Sequence, residues 1–155
     1  MTTIRERLHA LGLTLPEPTP TGFSYVPLSV HQGVAYLAGQ IPKTAPDRVR
    51  AAGTVGAEVS VEEARADAGL CIRHGLAWLE HRLGALESVD RPLSLTVYVA
   101  AAPDCDRISE VADGASRLLI DLFGEEKGPH PRSVIGVHRL PRAAPVMVDG
   151  VFALT

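Results

Sequence analysis

One arginine carries most of the chemistry this chain offers. Arg132 stands at the mouth of an apolar run, Ser133 to Val137, directly after the Gly/Pro-rich turn Gly128-Pro129-His130-Pro131. A guanidinium fixed to a rigid strand can grip a carboxylate through two parallel hydrogen bonds, which a lysine ammonium cannot reproduce. The competing reading is a solvated strand-end charge. His130, two residues earlier, is either close enough to approach the same ligand or an exposed loop side chain. His138 shares a strand face with Arg132 but lies six residues on, ~20 Å along a strand, so the two cannot act in one pocket of one chain.

The remaining candidates offer less. His74 and His81 are seven apart on one predicted helix and miss the i, i+4 spacing of a helical metal pair, so they read as a solvated face. Trp78 and Leu79 read as core or interface packing. Arg139 and Arg142 flank Leu140-Pro141 and read as solvated turn charges. Cys71 and Cys105 fit no metal or redox spacing and are expected as free thiols in a reducing compartment. Asp149, just before Gly150, reads as part of a strand end or turn. No metal and no cofactor are expected.

With 155 residues the chain is expected to form a single domain, 1–155, large enough to bury one core without staples. The net charge is −3 and the 15 lysines and arginines are scattered. The densest basic group, Arg132 to Arg142, is interleaved with apolar residues, which gives nucleic-acid binding no electrostatic support. No apolar run approaches ~18 residues, and the start of the chain has no hydrophobic signal core. The expectation is a soluble, cytoplasmic protein with no membrane partner.

These residues need elements to hold them. Ile4, Leu8 and Leu11 recur at helical spacing over 3–11, and Pro16, Pro18 and Pro20 extend the chain to Gly22, so 1–20 is a leader helix plus connector. Residues 24–30 and 34–38 read as strands joined by the turn His31-Gln32-Gly33, and 42–58 as a loop. Ser60-Val61-Glu62-Glu63 is a capping box opening a helix that ends near Gly84. Gly69 and Gly75 inside it, each costing about 1 kcal/mol against alanine, imply close backbone packing against a sheet. Leu93 to Val99 alternate as a half-buried strand. Ile108 to Leu122 carry an i, i+3, i+4, i+7 stripe stopped at Gly124. Residues 133–139 and 146–154 are the last strands. Two helices on one face of a mixed sheet leave the other face unburied, and self-association is the economical way to cover it.

Two segments together point to a family. Tyr36-Leu37-Ala38-Gly39-Gln40-Ile41-Pro42 and the run from His130 to Pro141 resemble the paired signatures of Rid (reactive intermediate deaminase) proteins, also called YjgF-type or "endoribonuclease L-PSP". The likeness spans about Leu11 to Ala153. It is greatest to the longer branch, with Leu15-Pro16 before a Tyr-Val-Pro strand and Asp113-Gly114-Ala115-Ser116 in the last helix. The resemblance implies an α+β, chorismate-mutase-like fold and a homotrimer with pockets at subunit interfaces. It also implies a site in which an arginine clamps the carboxylate of an imine or enamine acid while a glutamate activates water. Arg132 matches the arginine, Gly39 the glycine of the Gly-Gln-Ile-Pro turn, and Tyr25 the pocket aromatic. Asp113 stands where the family often has asparagine, and Val134 where short members often have cysteine. The family's Glu-x-Glu falls on Met147 and Asp149. A thioether cannot act as a base, so the usual hydrolytic carboxylate is missing, and Asp149, ~7 Å further along the same strand face, could act only through a water.

The leading expectation is therefore an enzyme acting on an imine, enamine or related unsaturated carboxylate held by Arg132. The reaction would be deaminase-type hydrolysis, or a tautomerisation, dehydration or cyclisation step in a specialised pathway. The alternative is a non-catalytic trimer that binds small acids. The ribonuclease role in the family's older name is disfavoured by the unremarkable basic content. Chorismate mutase shares only the architecture, which carries no functional weight.

Overall fold

The computed structural model describes residues 1–155. Helix α1 (Ile4–Ala10) is opened by a capping box in which the Thr3 side chain accepts from the Glu6 amide and Glu6 accepts from the Thr3 amide. The proline connector leads to β1 (Leu28–His31) and β2 (Val34–Gln40). Their turn places Gln32 and Gly33 at φ 50° and 76°, the left-handed pair that suits a two-residue hairpin. The first strand is shorter than its apolar pattern predicts: Ser24 to Pro27 run outside the ladder, and pairing starts at Leu28 opposite Leu37.

The expected loop 42–58 contains a small hairpin, β3 (Lys43–Ala45) with β4 (Arg48–Val49). Helix α2 (Val61–Leu83) begins at the Ser60/Glu63 capping box and ends at Gly84, φ 88°. Strand β5 (Val89–Ala100) starts before the expected Leu93, because register shifts on either side of Pro92 absorb a residue that cannot donate to the ladder. Helix α3 (Ile108–Lys127) runs past the expected stop at Gly124, which is a kink at φ 89°. Strands β6 (Arg132–Val137) and β7 (Val146–Leu154) complete the chain.

The five long strands form one mixed sheet in the order β1-β2-β7-β5-β6. Only β5 and β6 are parallel, and α3 makes the crossover that parallel neighbours require. Pairing registers sort the side chains by face. Leu95, Val97, Val99, Val146, Val148 and Phe152 point to α2 and α3 and are buried. Tyr36, Tyr98, Ile135, Met147, Asp149 and Val151 pair across the opposite face. Its end near Ala100 is covered by Ile41, Val49, Leu140 and Ala144, and the rest is left uncovered: Tyr36 is 49% and Ile135 43% exposed. The α+β class with two helices on one face of a mixed sheet is as the sequence predicts.

Glycines let the helices seat. A Cβ at Gly75 would lie 2.5 Å from Leu37 Cδ2, so α2 rests directly on β2, as expected of that glycine. Gly69 meets something else, the Gly114 carbonyl of α3, where the sequence suggested a sheet. At Gly114 a Cβ would lie 1.8 Å from the Arg65 carbonyl oxygen, so only glycine permits this helix crossing. One buried charge is also neutralised here. Asp67 on α2, 1% exposed, receives both Nε and Nη2 of Arg50, which anchors the end of the β3–β4 hairpin to the helix.

Candidate functional site

The predicted site residues fall into two separate groups. Arg132 opens β6 opposite Leu95 and therefore points to the helix side. Its guanidinium is cradled by α3: Nη1 donates to Asp113 Oδ1 at 2.6 Å and to Ser116 Oγ at 3.1 Å, and Nη2 to the Ser109 carbonyl at 3.2 Å. The side chain retains 23% exposure, so the fork is oriented but not enclosed. It is not a freely solvated strand-end charge. His130 joins the same network. Its Nδ1 donates to the Gly128 carbonyl at 2.7 Å, which leaves Nε2 to accept from the Ser116 hydroxyl at 3.1 Å. Val134 points inward beside them and packs on the core, so in this chain it supports β6 from beneath.

The second group surrounds a cleft of about 500 Å³ between the connector, the end of β2 and α2. Tyr25, Gly39 and Met147 all line it, together with Trp78 and His74. Gly39 is there for a steric reason: a Cβ would stand 2.6 Å from Met147 Sδ. The Met147 and Arg132 positions are three rungs and two strands apart, roughly 10 Å in each direction, and they face opposite ways. One chain therefore does not bring Arg132 to Tyr25, Gly39 and Met147.

Asp149 sits on the uncovered sheet face, beside Met147, and is built into neither group. It accepts a 3.0 Å hydrogen bond from the Tyr98 hydroxyl, and that bond, with burial, pushes the Tyr98 phenol above its usual pKa. It lies in the middle of β7, paired with Thr96, and not at the strand end or turn that Asp-Gly suggested.

Two further residues, His74 and Arg142, differ from their sequence reading. His74 is buried, not on a solvated face: its Nε2 donates to the Lys43 carbonyl at 2.9 Å. Burial, more than anything else, lowers its pKa below the ordinary imidazole value. Trp78, one turn further along, packs against the core as expected and also lines the cleft, meeting His81 edge-on at 5.8 Å. Arg142 is exposed but is no free turn charge. Held at φ 55°, it donates to the Asp47 carbonyl at 2.9 Å and forms part of the cleft rim. His74 carried a signal in the sequence: with α2 seated on the sheet through Gly75, its neighbour faces inward too. Cys71 and Cys105 are unpaired thiols, and no cluster of three or more His, Cys, Asp or Glu is placed to hold a metal. No helix is long and apolar enough to cross a membrane.

No family model matches the chain. Protein TCP17 of Trypanosoma cruzi is 34% identical over 151 residues, covering 97% of this chain and 94% of its own length. A solved protein of Shewanella oneidensis that carries the endoribonuclease name is 28% identical, with a TM-score of 0.92 over 98% of this chain and 99% of its own. RidA of an Antarctic Psychrobacter shares the fold at 14% identity, with a TM-score of 0.59 over 89% of this chain and 94% of its own. With a relative 34% identical over nearly its whole length and this fold, the chain belongs to the YjgF/RidA/L-PSP endoribonuclease family.

Proposed function

We propose that this protein acts on a small imine, enamine or related unsaturated carboxylate in a pocket completed by two subunits of a homotrimer. Family membership supports a deaminase-type role on small molecules in general. The observation that carries the finer reading is the oriented Arg132 fork, partly exposed and held on three sides by α3. Apart from it, between the connector, the end of β2 and α2, lies a cleft with the matching Tyr25 and Gly39. Two unlike half-sites on one chain are what a heterologous ring contact joins, and the uncovered sheet face with Tyr36 and Ile135 gives such a contact apolar area.

In this reading Arg132 of one subunit holds the substrate carboxylate at the Tyr25–Gly39 cleft of the next. For hydrolysis, water adds to the imine carbon, the nitrogen gains protons, the C–N bond breaks, and a 2-keto acid and ammonia leave. An imine carbon is already electrophilic, so orientation and water delivery are the main tasks. Met147 in the glutamate position leaves water activation to Asp149, which Tyr98 holds in place, or to a backbone-held water. The acid-free cleft equally favours a second reading, a trimer that binds small acids without turnover. The test generates an imino acid in situ with an amino-acid oxidase and traps it with semicarbazide. Arg132-dependent loss of trapped product supports the enzyme. Arg132-dependent binding of the keto acid without any such loss supports the binder.

A further inference from the structure

The cleft contains two cations that the reading above does not use. Lys43 opens β3 beside the Gly-Gln-Ile-Pro turn, and Arg142 sits in the short turn before β7; both line the cavity. Neither makes an ion pair within the chain. No Asp or Glu lines the cleft, although the chain as a whole is net negative. The two positive groups are close enough that Arg142 adds to burial in lowering the Lys43 ammonium pKa. The Lys43 carbonyl accepts from buried His74 Nε2, and the Arg142 guanidinium, on a backbone at φ 55°, donates to the Asp47 carbonyl. Two cations without an acidic partner, facing one cavity, form a receptor for negative charge. His74 completes the arrangement without adding charge, because burial holds its pKa below the ordinary imidazole value.

We propose that the ligand of this cleft carries a second anionic group, a carboxylate or a phosphate, held by Lys43 and Arg142 at the end remote from the reacting centre. The inference rests on the proposed carboxylate clamp for the ligand's first anion, but it is carried by different residues. The substrate class narrows accordingly, from simple imino monoacids to diacids or phospho-acids, and Tyr25 and Trp78 would flank the chain between the two ends.

Calorimetry on the full-length protein separates the cases, with 2-oxopentanoate, 2-oxoglutarate and 3-phosphonopyruvate as probes. The expected result is that one of the two dianionic probes binds about tenfold or more tightly than 2-oxopentanoate, and which one identifies the second group. Lys43→Met and Arg142→Gln should each erase that advantage while leaving 2-oxopentanoate unchanged, and Arg142→Lys should restore part of it. Arg132→Ala should weaken all three probes alike. If 2-oxopentanoate binds as well as both dianions, or if the advantage survives loss of Lys43 and Arg142, the inference is overturned. If Arg132→Ala has no effect while the Lys43-dependent advantage persists, the clamp reading falls and this one stands.

Discussion

Met147 and Gly39 are in direct contact across the β2–β7 irregularity, with the thioether lying where a Cβ on residue 39 would be. The contact explains why the turn uses glycine and also fixes what an introduced carboxylate would meet. Met147→Glu places its charge at the cleft wall beside Gly39. A general base typically contributes ~10²–10⁴-fold, so this variant should raise imine hydrolysis in the semicarbazide assay well above wild type. No gain, with keto-acid binding intact, would favour the binding reading. If wild type is already fast, Asp149→Asn decides whether Asp149 supplies the base.

Gly39→Ala should cost ~1–3 kcal/mol in denaturant unfolding, the usual range for overpacking. Adding Met147→Ala should recover part of that loss, because the two side chains then no longer collide. A double-mutant cycle gives the coupling directly, and strict additivity would contradict the contact.

Arg132→Lys should weaken binding of 2-keto acids despite keeping the charge, since an ammonium cannot reproduce the fork held by Asp113, Ser116 and Ser109. Arg132→Ala should lose ~2–4 kcal/mol of binding free energy in calorimetry. Equal affinity in all three proteins would reduce Arg132 to a structural partner of α3.

The protein should run in multi-angle light scattering as a closed trimer of about 50 kDa, three times 16.5 kDa. A stable monomer at micromolar concentration would remove the shared pocket. Tyr36→Lys and Ile135→Lys, on the uncovered face, should each shift the protein toward smaller species.

Stability should decline as pH falls below the ordinary imidazole value of 6.5, with His74 as one source. Burial depresses its folded-state pKa, so the unfolded chain takes up a proton before the folded one does. His74 is neutral in both states above the unfolded value, and its contribution is lost as pH falls toward the folded one. His74→Gln, which keeps a donor for the Lys43 carbonyl, should flatten the profile over that range. An unchanged profile would place the pH dependence elsewhere.

The layers were legible in the sequence because their periodicities were long and clean: the capping box at Ser60, the stripe of α3, and the alternation of β5. The small β3–β4 hairpin was not, since two or three residues cannot show a period. His74 was misread for a different reason. Its partner His81 shares no environment with it, and the burial of one face of α2 comes from Gly75 and Leu37, two residues distant in sequence. Arg142 was taken for a surface charge because nothing in a Leu-Pro-Arg triplet reveals a left-handed backbone. The family signatures named residues that the structure gathers into two places, around the cleft and around Arg132, and a linear sequence has no means of showing that separation.

The Gly114–Arg65 crossing links two properties usually treated apart. Gly114 touches no ligand group, yet it follows Asp113 and precedes Ser116, the two side chains that aim Arg132. Any larger residue there must push α3 away from α2, and the guanidinium would move with its supports. Position 114 is therefore a place where a helix crossing and the aim of one guanidinium cannot be varied independently, and in a saturation library it should be as intolerant as position 132.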